Sequence, residues 1–240
     1  MKTAELTIAA RRCLLRQAEK PRFLLLQLVD EQELSALEGE VEEIRRRTSV
    51  PFAHCAVEVL DWNAELSPWE APGVFGKEAF GGGAPQTLAL LEERILPEVR
   101  RTWALGDLPV ILGGYSLAGL FALWSASVSG RFAGVAAASP SVWFPRWTDW
   151  ASEHLSRAQC VYLSLGDREE KTRNKTMARV GECIRQQQGL LEEQGIPYVL
   201  EWNRGNHFTE PDLRTAKGFA WCLEQMGERA SEAENSHREG

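Results

Sequence analysis

The sequence has no run of apolar residues approaching the roughly 18–20 that cross a bilayer, so a membrane-spanning role is not expected. It also lacks an excess of positive charge: 27 Lys and Arg stand against 34 Asp and Glu, a formal net charge of −7. Binding nucleic acid requires a basic footprint, so no nucleic-acid partner is expected. Cysteines are few and odd in number, five, and none has C-x-x-C spacing. Cys13, Cys55, Cys160, Cys183 and Cys222 therefore predict neither a disulfide frame nor a zinc site. They read as reduced thiols in a cytoplasmic protein. The first residues carry Glu5 and reach Arg11-Arg12 without a long apolar segment, so a secretory signal is not expected. No internal repeat is visible, and histidines number only four.

What is present suits a single domain over 1–226. A chain of 240 residues, 44% apolar and 25% charged, can bury a large core. Residues 23–29 form a continuous apolar run, as expected of a strand covered on both faces. Residues 31–47 place Leu34, Leu37, Val41 and Ile44 on one stripe, an amphipathic helix. A strand is expected over 52–60, and a short edge strand around 12–16. Residues 61–85, rich in Gly, Pro and aromatics, read as a long functional loop. Beyond it, helices are expected over 86–103, 176–194 and 212–226, and strands over 132–138, 161–166 and 198–202. The segment 227–240 is charged and nearly free of large apolar residues, which predicts a disordered tail. Alternating strands and helices imply a mainly parallel sheet with helices on both faces, and reactive groups then gather at the C-terminal strand ends.

One such end stands out. The run Pro109-Val110-Ile111-Leu112 leads into Gly113-Gly114-Tyr115-Ser116-Leu117-Ala118-Gly119 and then an apolar helical segment. A strand, a sharp turn and a helix are written there, and the turn lifts the Ser116 side chain clear of the backbone. A serine hydroxyl needs a neighbouring base to act as a nucleophile at neutral pH. Of the histidines, His237 lies in the tail, His154 in a polar helical stretch and His54 inside a strand pattern. His207 stands in Arg204-Gly205-Asn206-His207-Phe208, directly after the last strand, and is the expected base. For the carboxylate that orients it, Asp167, Glu169 and Glu170 compete behind the strand over 161–165.

The motif Gly114-Tyr115-Ser116-Leu117-Ala118-Gly119, with Ala138-Ser139-Pro140-Ser141-Val142-Trp143 and Gly205-Asn206-His207-Phe208, resembles the Putative esterase branch of the α/β-hydrolases. That branch includes esterase D-like (S-formylglutathione hydrolase) enzymes and enterobactin-type siderophore esterases. Asp61-Trp62-Asn63-Ala64-Glu65-Leu66-Ser67-Pro68-Trp69 is similar to a segment of its small members, and the likeness spans about residues 21–223. It implies an α/β-hydrolase fold and cleavage of carboxylic or thio-esters, with the triad in the chain order serine, acid, histidine. Many such hydrolases place the acid three residues past the glycine that ends the strand, here Gly166, which selects Glu169 over Asp167 and Glu170. Leu117 and a residue near Leu28 or Val29 would supply the backbone N–H groups of the oxyanion hole. Three departures stand out: Ala118 for the final glycine, Gln27-Leu28 where many relatives carry His-Gly, and Glu where the acid is often Asp. No metal or organic cofactor is implied, and the expected partner is a small-molecule ester.

Nine tryptophans are many for this length. Trp62 and Trp143 are candidates for an apolar substrate pocket and Asn63 for a hydrogen bond to substrate, while Trp147 and Trp150 read as packing residues. The insert after the sixth strand is short, so no large lid is expected. Two other functions compete with hydrolysis: acyl transfer by the same triad, and a non-catalytic binding module on the same fold.

Overall fold

The computed structural model of the chain describes residues 1–74 and 78–239, with side chains up to 231. In chain order it opens with β1 (Lys2–Ile8), β2 (Arg11–Gln17), β3 (Phe23–Val29), α1 (Glu31–Arg47), β4 (Phe52–Glu58) and α2 (Trp62–Leu66). A small two-stranded pair follows, β5 (Glu70–Ala71) with β6 (Phe80–Gly81), then α3 (Ala84–Leu90) and α4 (Leu96–Trp103). Next come β7 (Val110–Tyr115), α5 (Leu117–Val128), β8 (Phe132–Ala138) and α6 (Trp147–Glu153). The remainder is β9 (Cys160–Gly166), α7 (Val180–Glu193), β10 (Tyr198–Asn203) and α8 (Pro211–Glu239).

Eight strands make one sheet in the order β1-β2-β4-β3-β7-β8-β9-β10. From β4 to β10 every neighbouring pair is parallel, and β1 and β2 run antiparallel at one edge. This is the α/β-hydrolase fold, a mainly parallel sheet flanked by helices on both faces. The two faces are legible along a single strand. In β3, Phe23, Leu25 and Val29 pack with α1 and α8, while Leu24, Leu26 and Leu28 pack into the larger core on the other face, the period of two that a pleated strand imposes. Gln27 falls on the first face and hydrogen-bonds the equally buried His54 at 2.8 Å. Burial holds His54 in its neutral form, with its pKa pushed down to about 3, so this histidine is a core group. α5 is buried almost all round, which fits its lack of a polar stripe.

Several expectations need correction. The region 12–16 is not the edge: β2 lies between β1 and β4. The strand that precedes it was hidden because the hairpin turns on Ala9 and Ala10, both at positive φ, where Gly or Asn is the usual signal. The loop over 61–85 contains α2 and the β5–β6 pair. The helix over 86–103 has a π turn at Leu91–Ile95, ahead of Pro97 near the start of α4. Proline has no N–H to give to the regular ladder, and a wider turn absorbs that loss. Finally, the backbone from Gly227, expected to lack order, continues α8 to Glu239. Glu, Ala and Arg favour helix even without an apolar face, and Arg229 donates to the Gln159 carbonyl at 2.9 Å.

Candidate active site

β7 ends and α5 begins around Ser116, which sits at φ +56° and ψ −117°. Such a conformation costs on the order of 1–3 kcal/mol and persists only where the surroundings over-determine it. Here they do: the Ser116 N–H donates to the Ala138 carbonyl, and the Ser116 carbonyl accepts from Leu120 and Ser141. Strand and helix nearly touch. A Cβ placed on Gly114 would lie 2.6 Å from the Cβ of Ala118. Ala118 is therefore accommodated because Gly114 yields the space. Gly114→Ala should lower the melting temperature by several degrees, from an overpacking cost of about 1–3 kcal/mol. Thermal unfolding checks this, and an unchanged midpoint would contradict it.

His207 comes from the loop after β10. Its Nε2 is 3.0 Å from Ser116 Oγ and its Nδ1 is 2.7 Å from Glu169 Oε2. Glu169, in a single 3-10 turn after β9, is buried, and its other oxygen accepts from the Gly166 N–H, the Ser139 hydroxyl and Arg214. Burial pushes its carboxyl pKa up, but the hydrogen bond and charge of His207, the Gly166 N–H and Ser139 together outweigh burial, and the net shift is downward. Glu169 is thus held ionised. Asp167 and Glu170, its sequence rivals, point elsewhere: Asp167 accepts from the Gly205 N–H at 2.8 Å, and Glu170 lies 3.7 Å from Arg185.

Three polar side chains escaped the sequence reading. Ser141 Oγ lies 3.2 Å from Ser116 Oγ. When Ser116 donates to His207, Ser141 is the group that can donate to Ser116. Tyr115 donates to the His207 carbonyl at 2.6 Å, and burial raises its pKa to about 12, so the phenol keeps its proton. Arg214, 1% exposed, is the third. One terminal nitrogen of its guanidinium reaches Glu169 Oε1 at 2.8 Å, Ser139 Oγ at 3.0 Å and Tyr115 Oη at 3.2 Å. The other donates to the carbonyls of Arg204 and Asn206, in the loop that carries His207. One buried cation therefore ties acid, strand end and histidine loop together. Arg214→Leu breaks the buried pair with Glu169 and leaves the carbonyls of Arg204 and Asn206 without this donor, an expected cost of about 3–5 kcal/mol. Chemical denaturation measures that loss, and a change under 1 kcal/mol would be incompatible with it.

A cleft of about 650 Å³ opens onto Ser116 and His207. Trp62, Asn63, Phe80, Leu117 and Trp143 line it, with Met177 and Val180 adding apolar surface. So the expected substrate residues Trp62, Asn63 and Trp143 are brought to the serine. Leu117 opens α5, where the first N–H groups have no partner within the helix. Leu28 lies fully buried in β3 and, unlike Leu117, is not among the lining residues. α1 begins at Glu31 directly behind the strand, and its capping box engages the Asp30 N–H with the Glu33 carboxylate at 3.0 Å. Trp147 packs in the core, where its indole N–H donates to Gln187 at 3.1 Å, and Trp150 stacks on His154. Among the described residues, no group of three His, Cys, Asp or Glu side chains is placed to hold a metal ion. No helix among them is long and apolar enough to cross a membrane.

The profile of a protein family described as Putative esterase matches residues 34–208. Among solved structures, the chain is similar to an IroE-like serine hydrolase from Shewanella oneidensis, with 12% identity, 93% of this chain and 80% of that one covered, and a TM-score of 0.75. It is similar also to the siderophore hydrolase EstB from Aspergillus nidulans, at 16% identity, with 91% and 93% covered and a TM-score of 0.66. The enterobactin esterase FES from Shigella flexneri, solved with enterobactin, shares 19% identity and gives a TM-score of 0.67. The match covers 94% of this chain but only 60% of the Shigella protein. At these identities the likeness speaks for the fold. No curated protein matches the chain in sequence.

Proposed function

The chain belongs to the Putative esterase family, and from the geometry of its cleft we propose that it is a serine hydrolase cleaving small carboxylic or thio-esters through an acyl-enzyme. The observation that carries this reading is the unbroken chain from Ser116 Oγ to His207 (3.0 Å) and from His207 to Glu169 (2.7 Å). With Nδ1–H donated to Glu169, the His207 Nε2 lone pair faces the serine hydroxyl and can take its proton as Oγ bonds to the ester carbonyl carbon. The carbonyl oxygen then carries negative charge, and the Leu117 N–H, which has no partner within α5, is the donor that stabilises it in this reading. Collapse of the tetrahedral intermediate expels the alcohol, which leaves with the proton from Nε2. Water repeats the sequence against the acyl-enzyme, with His207 again as base, and releases the acid.

Trp62 and Trp143 give the substrate an apolar wall, and Asn63 offers an amide able to hydrogen-bond it. The cleft size favours small, dispersed esters over lipid aggregates. The test is stopped-flow hydrolysis of para-nitrophenyl acetate and butyrate. The reading predicts a burst of one equivalent of nitrophenol per enzyme when deacylation limits turnover, and trapping of a mass-shifted protein after acid quench. No turnover of any small oxygen or thio-ester would sink it. Product analysis with added alcohols separates hydrolysis from acyl transfer.

A further inference from the structure

The charges left uncommitted in the cleft run against the charge of the molecule. The chain carries a formal −7, yet of the four ionisable groups lining the cleft, Glu169 is fully engaged by His207 and Arg214, and the others apart from His207 are Arg168 and Lys171. Neither Arg168 nor Lys171 has an ion-pair partner among the described residues. They open a segment, 168–179, that also carries Arg173, Lys175 and Arg179, the last of them 3.8 Å from Glu182. Its two carboxylates are accounted for, Glu169 at the histidine and Glu170 beside Arg185.

This cationic rim is anchored. The Arg168 N–H donates to the Gly205 carbonyl at 3.0 Å, and the Lys171 N–H to the Arg168 carbonyl at 3.1 Å. Farther along, the Asn174 amide donates to the Val74 carbonyl at 2.9 Å while its oxygen accepts from the Thr176 and Met177 N–H groups. Resting on the serine-esterase reading, we propose that this cleft selects esters that carry a carboxylate on their alcohol portion. The side follows from the chemistry. His207 must hand its proton to the departing alkoxide, so the alcohol lies toward His207. Gly205, to which Arg168 is tied, is two residues from His207 in the same loop. Phe208, 85% exposed and also lining the cleft, offers that portion an apolar contact. The aromatic pair Phe80 and Trp143, with ring centroids 6.3 Å apart, comes from other elements and is left for the acyl portion.

Both cations are solvent-exposed, so their pull is screened and acts through KM and on-rate. At contact distance in water each is worth roughly fivefold. The experiment compares kcat/KM for para-acetoxybenzoate and its methyl ester, each normalised to its own hydroxide-catalysed rate. The wild type should favour the carboxylate by about tenfold in low salt, and the preference should shrink as salt is raised. In the double variant Arg168→Glu, Lys171→Glu the ratio should invert. The ratio is internal to each preparation, so partial misfolding does not move it. A wild-type ratio at or below one with both esters turned over would overturn the proposal and leave the esterase reading standing. So would a ratio unchanged in the double variant. A preference appearing only when the carboxylate is on the acyl portion, as in para-nitrophenyl hemisuccinate against the butyrate, would overturn the placement. If neither ester is cleaved and no fluorophosphonate attaches, the esterase reading itself fails and this proposal falls with it.

Discussion

Ser116→Ala should reduce kcat toward small esters by about 10⁴–10⁶-fold, and His207→Ala should do nearly the same. The two losses are expected to be similar and non-additive, because serine and imidazole act as one device: the hydroxyl is nucleophilic only while Nε2, 3.0 Å away, can take its proton. The double variant should therefore be about as slow as either single one. Ser116→Ala should be well tolerated in folding, since the serine hydroxyl bonds only His207 and Ser141 while its backbone bonds hold the turn. Steady-state kinetics on protein with an unchanged circular dichroism spectrum makes the comparison. A Ser116→Ala enzyme retaining a tenth of its activity would require another nucleophile.

Glu169→Gln should lower kcat by roughly 10³–10⁴-fold, whereas Asp167→Asn should stay within a few-fold. The structure separates them clearly. Glu169 accepts from His207 Nδ1 and fixes the tautomer whose Nε2 is free; an amide in its place can present N–H to the ring and favour the wrong one. Asp167 only supports the Gly205 N–H on an exposed turn. Reversed magnitudes would assign the acid to Asp167. The same variant has a stability signature. The Glu169 carboxyl titrates below its ordinary 4.5 in the folded chain, so its ionised form stabilises the fold above that value. That contribution is lost as pH falls through the lowered folded value, and Glu169→Gln should flatten the acid limb of the stability profile there. Urea denaturation in steps from neutral pH into the acid range checks it.

How much of this was legible beforehand varied from element to element for physical reasons. β3 and α1 stand where the sequence puts them, because an unbroken apolar run needs cover on both faces and Asp30 with Glu33 caps the helix directly behind it. Ser116 and His207 were legible because a small-residue turn and a polar turn each follow an apolar strand. The choice among Asp167, Glu169 and Glu170 was not decided by composition or spacing; it depended on family likeness, and in the structure Glu169 alone of the three faces His207. Arg214 was invisible, since it falls off the apolar stripe Ala216–Phe219–Ala220–Leu223 and periodicity assigns it to solvent. Only the tertiary arrangement of β7, β9 and the loop after β10 gives it five acceptors. The role expected of Leu28 came from family likeness alone; in the structure this residue is buried in β3 and does not line the cleft, and α1 starts directly behind the strand.

The most direct test of the central claim is reaction with a fluorophosphonate, followed by mass spectrometry of the peptides. A phosphonylated Ser116, absent in Ser116→Ala and strongly slowed in His207→Ala, is the predicted result. Failure of the wild-type protein to form any adduct, or an adduct that survives Ser116→Ala, would contradict it.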